Sequence, residues 1–188
     1  MKIGVLALQG AFIEHEKMLR SLGAETVQVR LPAHLEDLDG LIIPGGESTT
    51  IGKLATDYGL IEPLRNFAAT RPTWGTCAGM IFLAKDLGHN HQPILGLMDV
   101  TVNRNAFGRQ IDSFEADLDI AVLGENPYHA IFIRAPVITH AQPNVEVLGT
   151  LGDERIIAAK QGHLLATAFH PELTNDTRFH AYFLGMID

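Results

Sequence analysis

Three short runs constrain this chain most: Ile3 to Leu8, Leu41 to Ile43 and Pro72 to Thr76. Ile3 to Leu8 hardly alternates between apolar and polar residues, so both faces of its strand need cover, as in a parallel sheet. Each run stops at a sharp turn: Gln9-Gly10, Pro44-Gly45-Gly46, and Cys77 between Gly75 and Gly79. Helical patterns follow at Phe12 to Leu22 (stopped by Gly23), Ser48 to Thr56, Ile61 to Ala69 and Ala78 to Lys85. A further strand reads over Thr26 to Leu31. This order predicts an α/β fold: a three-layer, open, mostly parallel sheet with flanking helices.

From Leu95 on the texture changes. Strand-like runs read at Val100 to Asn103, Gln110 to Ala116, Ala130 to Ala135, Val145 to Leu151, Ile156 to Lys160 and Leu164 to Phe169. Turn groups such as Gly124-Glu-Asn-Pro127 and Gly152-Asp153 separate them, which predicts antiparallel hairpins added to the sheet rather than a second domain. A final helix is expected over Asn175 to Ile187, with Phe179, Tyr182, Phe183 and Met186 at core spacing and Thr174 or Asn175 as N-cap. At 188 residues one domain, 1–188, is the default.

The formal net charge is -8 and no Lys/Arg cluster stands out, which argues against nucleic acid and anionic membranes as partners. The single cysteine excludes an internal disulfide. The apolar start, Met1 to Leu8, is short, runs into Gln9-Gly10 and Glu14-His-Glu16, and lacks a small-residue cleavage pattern, so a first strand fits better than a signal peptide. No stretch approaches the ~20 apolar residues of a membrane span. The expected location is the cytoplasm.

In an open parallel sheet the working residues gather at the carboxyl ends of the strands, where Gln9-Gly10, Gly45-Gly46-Glu47 and Cys77 all fall. Gly75-Thr-Cys-Ala-Gly79 has the form of a nucleophile elbow with sulfur in place of the usual serine oxygen. Glycine flanks such a turn because a Cβ there meets the neighbouring strand or helix. The start of the following helix favours thiolate over thiol. The competing reading is a small buried hydrophobe, and the motif alone leaves the two readings even.

A nucleophile needs a base. His15, His34, His89, His91, His129 and His180 sit in polar or helical contexts and read as surface residues, while His140 and His163 stand isolated. His89-Asn-His91 has no carboxylate or cysteine nearby and reads as a loop rather than a metal site. His170 ends an apolar strand and precedes Pro171, which holds it extended. Glu172, two residues on, emerges on the same side of an extended segment and can orient the His170 ring for Cys77. The alternative for this pair is a cap on the last helix. The oxyanion donors expected around an elbow are the N–H of Ala78 and one from Gly45 or Gly46. A phosphate-loop reading of Gly46 to Leu54 fails, because the glycines are one residue too far apart and Leu54 replaces the magnesium-binding Ser or Thr.

Together these segments resemble a known family. Leu8-Gln-Gly10 with Glu14-His15, Pro44-Gly-Gly-Glu-Ser-Thr-Thr50, Gly75-Thr-Cys-Ala-Gly79, Arg104-Asn-x-Phe-Gly-Arg-Gln110 with Ser113-Phe-Glu115, Phe132-Ile-Arg-Ala-Pro136 and Phe169-His-Pro-Glu-Leu173 are similar to the glutaminase subunits of pyridoxal 5'-phosphate synthase. That family lies within the triad (class I) glutamine amidotransferases, which are flavodoxin-like in fold. Met80 stands where Leu is usual, a volume-conserving swap.

The resemblance implies hydrolysis of L-glutamine to glutamate and ammonia, with Cys77, His170 and Glu172 as triad and Gly45, Gly46 and Ala78 around the oxyanion. It implies a glutamine site lined by Gly46, Glu47, Ser48, Arg104, Ile133 and Arg134; the competing role for either arginine is a structural salt bridge. No cofactor or metal is implied. The implied partner is a synthase that receives the ammonia, in a dodecameric core decorated by glutaminase subunits. The Gly45-Gly46 peptide can flip at little steric cost, so the isolated chain is expected to be nearly inactive until that partner docks, near Gln9-Gly10 and Glu14-His15. Another cysteine hydrolase on a similar fold and a non-catalytic regulatory subunit remain the alternatives.

Overall fold

The runs with little alternation become the middle of one sheet. The computed structural model describes residues 1–88, 91–104, 107, 112–152 and 155–187. Its first half holds β1 (Lys2–Leu6), α1 (Phe12–Ser21), β2 (Glu25–Val29), β3 (Gly40–Ile43), α2 (Ser48–Asp57), α3 (Ile61–Ala68), β4 (Thr73–Thr76) and α4 (Ala78–Leu83). The second half adds β5 (Ala84–Asp86), β6 (Met98–Asn103), β7 (Ser113–Leu118), β8 (Tyr128–Ile133), β9 (Val137–Ala141), β10 (Glu146–Leu151), β11 (Arg155–Gln161), β12 (Leu164–Thr167) and α5 (Arg178–Leu184). The sheet runs β2-β1-β3-β4-β12-β11-β9-β6-β5, with β10 paired to β11.

The strands β2, β1, β3, β4 and β12 are mutually parallel, and β11 turns back antiparallel to β12. Val5, Ile42, Trp74 and Leu165 form one continuous row across four of these strands, and all four are fully buried. Because β1, β3, β4 and β12 are neighbours and parallel, their carboxyl ends line up on one edge. The strand ends carrying Gln9, Gly45-Gly46, Cys77 and His170 therefore meet without any long loop.

Side chains alternate across β4, and this divides the layers. Trp74 packs its ring against Phe179, Phe183 and His180 of α5 and His15 of α1, which places those helices on one face. On the other face a Cβ at Gly75 would run into the backbone of Gly79 and Met80 in α4. Full burial of a side chain of this class stabilises the fold by about 3 kcal/mol, so Trp74 is a main attachment of both helices.

The structure departs from the sequence reading in particular places. Helix α4 stops at Leu83 and the chain re-enters the sheet as β5, where the apolar pattern reads as helix to Lys85. Strand β9, just after Pro136, has no counterpart in the sequence reading. Among the described residues, strands β7 and β8 pair only with each other, forming a separate two-stranded ribbon. Part of the expected Gln110 to Ala116 strand, and His89, Asn90, Asp153 and Glu154, lie outside the described residues. The last helix starts at Arg178 behind Thr177, not at Thr174 or Asn175. Thr174 and Asp176 instead hold turns: Thr174 Oγ1 accepts from the Asp176 N–H at 3.2 Å, and Asp176 Oδ1 accepts from the Arg178 N–H at 3.0 Å. Such local bonds compete with helix formation.

Candidate active site

Cys77 sits between β4 and α4 with φ 49 and ψ -104, a backbone conformation that costs a non-glycine residue about 1–3 kcal/mol. Its N–H donates to Thr167 O at 2.8 Å, which pins the elbow to β12. Gly79 is required by closeness: a Cβ there would strike Ile43 O. The N–H of Ala78, the first residue of α4, has no acceptor within its own helix.

His170 follows β12, and its N–H donates to Ile131 O at 2.9 Å. Its ring Nδ1 lies 2.7 Å from Glu172 Oε1. Cys77 and the same ring both lie against Gly45, and with Nδ1 taken, Nε2 is the nitrogen left for the sulfur. Burial opposes charging this ring, yet Cys77 and Glu172 outweigh it and push the His170 pKa up to about 10. At neutral pH the ring therefore carries a proton beside the sulfur. Glu172 reaches His170 by a different route from the extended pair expected from the sequence: residues Pro171–Leu173 form a 3-10 turn. Burial raises the Glu172 pKa, but the neighbouring His15 and the hydrogen bond and charge of His170 prevail and hold it below the ordinary carboxylate range.

The residues expected from the sequence converge on one cavity of about 300 Å³ lined by Cys77, Ala78, Gly46, Glu47, Ser48, Arg104, Ile133, Arg134 and His170, together with Gln9 and Ile81. Gly45 and Glu172 stand behind this lining. A Cβ on Gly45 would meet the His170 ring and Cys77 Cβ. The Gly45 carbonyl accepts from the Ala11 N–H at 3.1 Å, at the start of α1. The trans peptide then sends the Gly46 N–H the opposite way. Gly10 allows this approach: it has φ 100, and a Cβ there would overlap Gly45 O. Gln9 Oε1 accepts from the Glu47 N–H at 2.7 Å and secures the same loop.

Glu47 is the N-cap of α2, accepting from the N–H groups of Thr49 at 3.2 Å and Thr50 at 2.7 Å. Slight desolvation raises its pKa, but the Thr49 and Thr50 hydrogen bonds overcome this and bring it down to about 2. Arg104 Nη2 lies 3.4 Å from Glu47 Oε1, so this arginine does make the ion pair weighed from the sequence, and makes it on the cavity wall. Arg134 makes no ion pair among the described residues; it is exposed, with φ 43, and its N–H donates to Asp112 O at 2.6 Å. Ser48 Oγ donates to Gln92 Oε1 at 3.2 Å. Ile133 offers its carbonyl oxygen 3.9 Å from Cys77 Sγ.

Two histidines overturn the sequence reading. His15 and His180 are fully buried, not on the surface, and His15 Nδ1 lies 2.9 Å from His180 Nε2. His15 is consequently no part of an exposed docking face. The signal was present as spacing: His15 is four residues before buried Leu19, and His180 lies between buried Phe179 and Phe183. Gln9 was legible only as a turn residue, because its contact with Glu47 joins two separate strand ends.

A family model described as the SNO glutamine amidotransferase family matches residues 5–188. The pyridoxal 5'-phosphate synthase subunit PdxT of Herpetosiphon aurantiacus is 62% identical over 190 residues, covering 99% of this chain and 100% of its own. The protein of that name from Pelotomaculum thermopropionicum is 62% identical over 185 residues, covering 98% of this chain and 94% of its own. A solved structure described as a glutamine amidotransferase is similar with TM-score 0.92 and 50% identity, over 98% of both chains. A chain in the structure of PurLQS from Thermotoga maritima, at 16% identity, shares the fold with TM-score 0.72, over 100% of this chain and 99% of its own.

Proposed function

The chain belongs to the SNO glutamine amidotransferase family, and on that premise we propose how its residues carry out the family's reaction. It is the glutaminase subunit of a pyridoxal 5'-phosphate synthase, hydrolysing L-glutamine to glutamate and supplying ammonia to the synthase. Residues 1–188 act as one glutaminase domain.

Cys77 is the nucleophile. Its thiolate adds to the side-chain carbonyl carbon of glutamine, and the N–H groups of Ala78 and of the Gly45-Gly46 segment receive the oxyanion, each such donor being worth about 3 kcal/mol of barrier. His170, protonated beside the sulfur, gives its proton to the amide nitrogen. The C–N bond breaks, ammonia leaves, and a γ-glutamyl thioester remains on Cys77. His170 then takes a proton from water, the hydroxide adds to the thioester, and glutamate leaves as the thiolate reforms. Glu172 holds the ring through Nδ1 in both half-reactions.

The far end of glutamine carries a carboxylate and an ammonium. Arg104 and Arg134, which line the same cavity, suit the carboxylate as fork donors. Glu47 stays ionised at neutral pH and, with Gly46, Ser48 and the Ile133 carbonyl, offers acceptors to the ammonium. No described helix is long and apolar enough to cross a membrane. We place the reaction in the cytoplasm, with the synthase as a dodecameric core decorated by glutaminase subunits.

One observation carries the site assignment: Cys77 and the His170–Glu172 pair meet at Gly45, beside a cavity that also holds an acid and two arginines. The test is ammonia release from glutamine by wild type, Cys77→Ala and His170→Asn, each with and without the synthase. Wild type should release ammonia only with the synthase present, and both variants should lose it by at least about 1,000-fold. Full glutamine-dependent synthesis by Cys77→Ala would overturn the assignment.

A further inference from the structure

Behind the triad the chain continues as a line of buried polar side chains. Glu172 uses Oε1 on His170, while its other oxygen, Oε2, is buried without a hydrogen-bond partner among the described residues, with His15 Nε2 3.4 Å away. His15 Nε2 also lies 3.2 Å from Thr76 Oγ1, and His15 Nδ1 lies 2.9 Å from His180 Nε2. His180 Nδ1 is buried with no partner.

These contacts determine where the protons go. A buried N–H without an acceptor costs about 1–3 kcal/mol, and a bare ring nitrogen costs less. His180 Nδ1 is therefore the bare nitrogen, and His180 Nε2–H donates to His15 Nδ1. The single proton of neutral His15 is then on Nε2, where it faces Glu172 Oε2 and Thr76 Oγ1. The opposite assignment leaves an orphan N–H on His180 and turns a lone pair of His15 toward a carboxylate. Both rings are neutral: burial is the largest influence on each, and it lowers His15 and brings His180 down to about 2. The charges acting on His15 are Glu172 and Glu14, which raise its pKa, and His170, which lowers it; burial outweighs them all.

We propose that His15 is a positioning residue for glutamine hydrolysis, its Nε2–H turned toward the outer oxygen of Glu172, with His180 fixing the His15 tautomer that makes this possible. The proposal rests on the triad assignment above. A carboxylate held at one oxygen can rotate about its last bond; held at both, it keeps the His170 ring aimed at the sulfur. Neither histidine lines the cavity, so they act through Glu172 and through Thr76, the residue before Cys77.

The experiment compares His15→Gln, His15→Asn, His15→Leu, His180→Phe and the His15→Leu/His180→Phe double variant, each assayed with the synthase. Gln can place its amide N–H where His15 Nε2 stands, whereas Asn reaches only the Nδ1 position. His15→Gln should stay within about 5-fold of wild-type kcat. His15→Asn and His15→Leu should lose about 30-fold, with KM moving less than about 3-fold. The pH at which iodoacetamide alkylation of Cys77 reaches half its maximum should rise by about one unit in those two variants and stay put in His15→Gln. His180→Phe should be milder than His15→Leu, and the double variant no worse than His15→Leu, because His180 acts through His15. If Gln and Asn behave alike, or the alkylation profile does not move while kcat falls, the relay is wrong. Should His15→Leu fail to fold, the Gln and Asn pair still decides. If Cys77→Ala and His170→Asn retain activity, the triad assignment itself has failed, which is a different outcome.

Discussion

Replacing Gly45 with alanine should disable the site while leaving the fold intact. Gly45 does not have positive φ, so alanine adopts its backbone conformation without strain. The new methyl group would stand 3.0 Å from His170 Nδ1 and 3.3 Å from Cys77 Cβ, with His170 Cε1 closer still. Carbon atoms settle at about 3.5–4.0 Å, so the ring must retreat by about 1 Å. It has little room: His170 is 7% exposed, its N–H is tied to Ile131 O, and Nδ1 is held 2.7 Å from Glu172. Moving a catalytic group by that distance costs about 100-fold in rate.

Overpacking costs about 1–3 kcal/mol, and a compatible Gly→Ala change returns about 0.4–1 kcal/mol through the unfolded chain, so Gly45→Ala should fold. Two assays separate the causes. Ammonia release with the synthase reports the whole reaction, and kcat/KM should fall about 100-fold, mainly in kcat. Alkylation of Cys77 by iodoacetamide needs no oxyanion site, so its slowing at pH 7 reports displacement of His170 alone. A folded Gly45→Ala protein within threefold of wild type in both assays would refute the steric argument.

Three further outcomes follow from the same geometry. Arg134 has φ 43, so Arg134→Gly should stabilise the fold by about 1 kcal/mol in urea unfolding while raising KM for glutamine; equal stability of the two proteins would deny the strain. Likewise Cys77→Gly should be more stable than Cys77→Ala by about 1–3 kcal/mol although both are inactive, which a pair of denaturation curves measures. The lowered pKa values of His15 and His180 mean that the unfolded chain takes up protons the folded chain refuses once pH falls below 6.5. Their stabilising effect is thus complete above 6.5 and lost on acidification, at up to about 1.4 kcal/mol per pH unit for His180, with His15 adding in the same direction. His170, whose pKa is raised, contributes no slope well below 6.5, where it is protonated in both states; its own contribution is lost as pH rises from 6.5 toward about 10. Unfolding free energy that stays flat from pH 6.5 to 5, or a His180→Phe protein with an undiminished slope, would count against two neutral buried rings.

The parallel half of the sheet was legible because its signals are local. An unalternating run such as Ile3 to Leu8 has to be covered on both faces, and the turn chemistry at Gly10, Gly45 and Gly79 is set by atoms close to each glycine. The antiparallel half was harder. Val137–Ala141 is a strand with an exposed Thr139-His140 pair, so its pattern is broken by its own edge of solvent. The short α4 shows the limit of periodicity: six buried residues in a row fit a helix or a buried strand, and only pairing with Met98 and Thr101 ends the helix at Leu83.

The site was legible wherever each residue carries its own chemistry: a lone cysteine in an elbow, a histidine before proline, a carboxylate two residues on. His15 and His180 failed that test because each looks like an ordinary polar residue on a helix. Their meaning lies in a contact across 165 positions between two helices that meet only on the Trp74 face of the sheet. Burial of one histidine could be read from its spacing to Leu19 or Phe183, but spacing within one helix says nothing about the other. The same helix α1 adds to this at its start, where the Ala11 N–H holds the Gly45 carbonyl while His15, one turn on, faces Glu172. The oxyanion loop and the triad acid thus hang from one rigid element, so a tilt of α1 about its own start must move both together, whereas two separate loops would have let them drift independently.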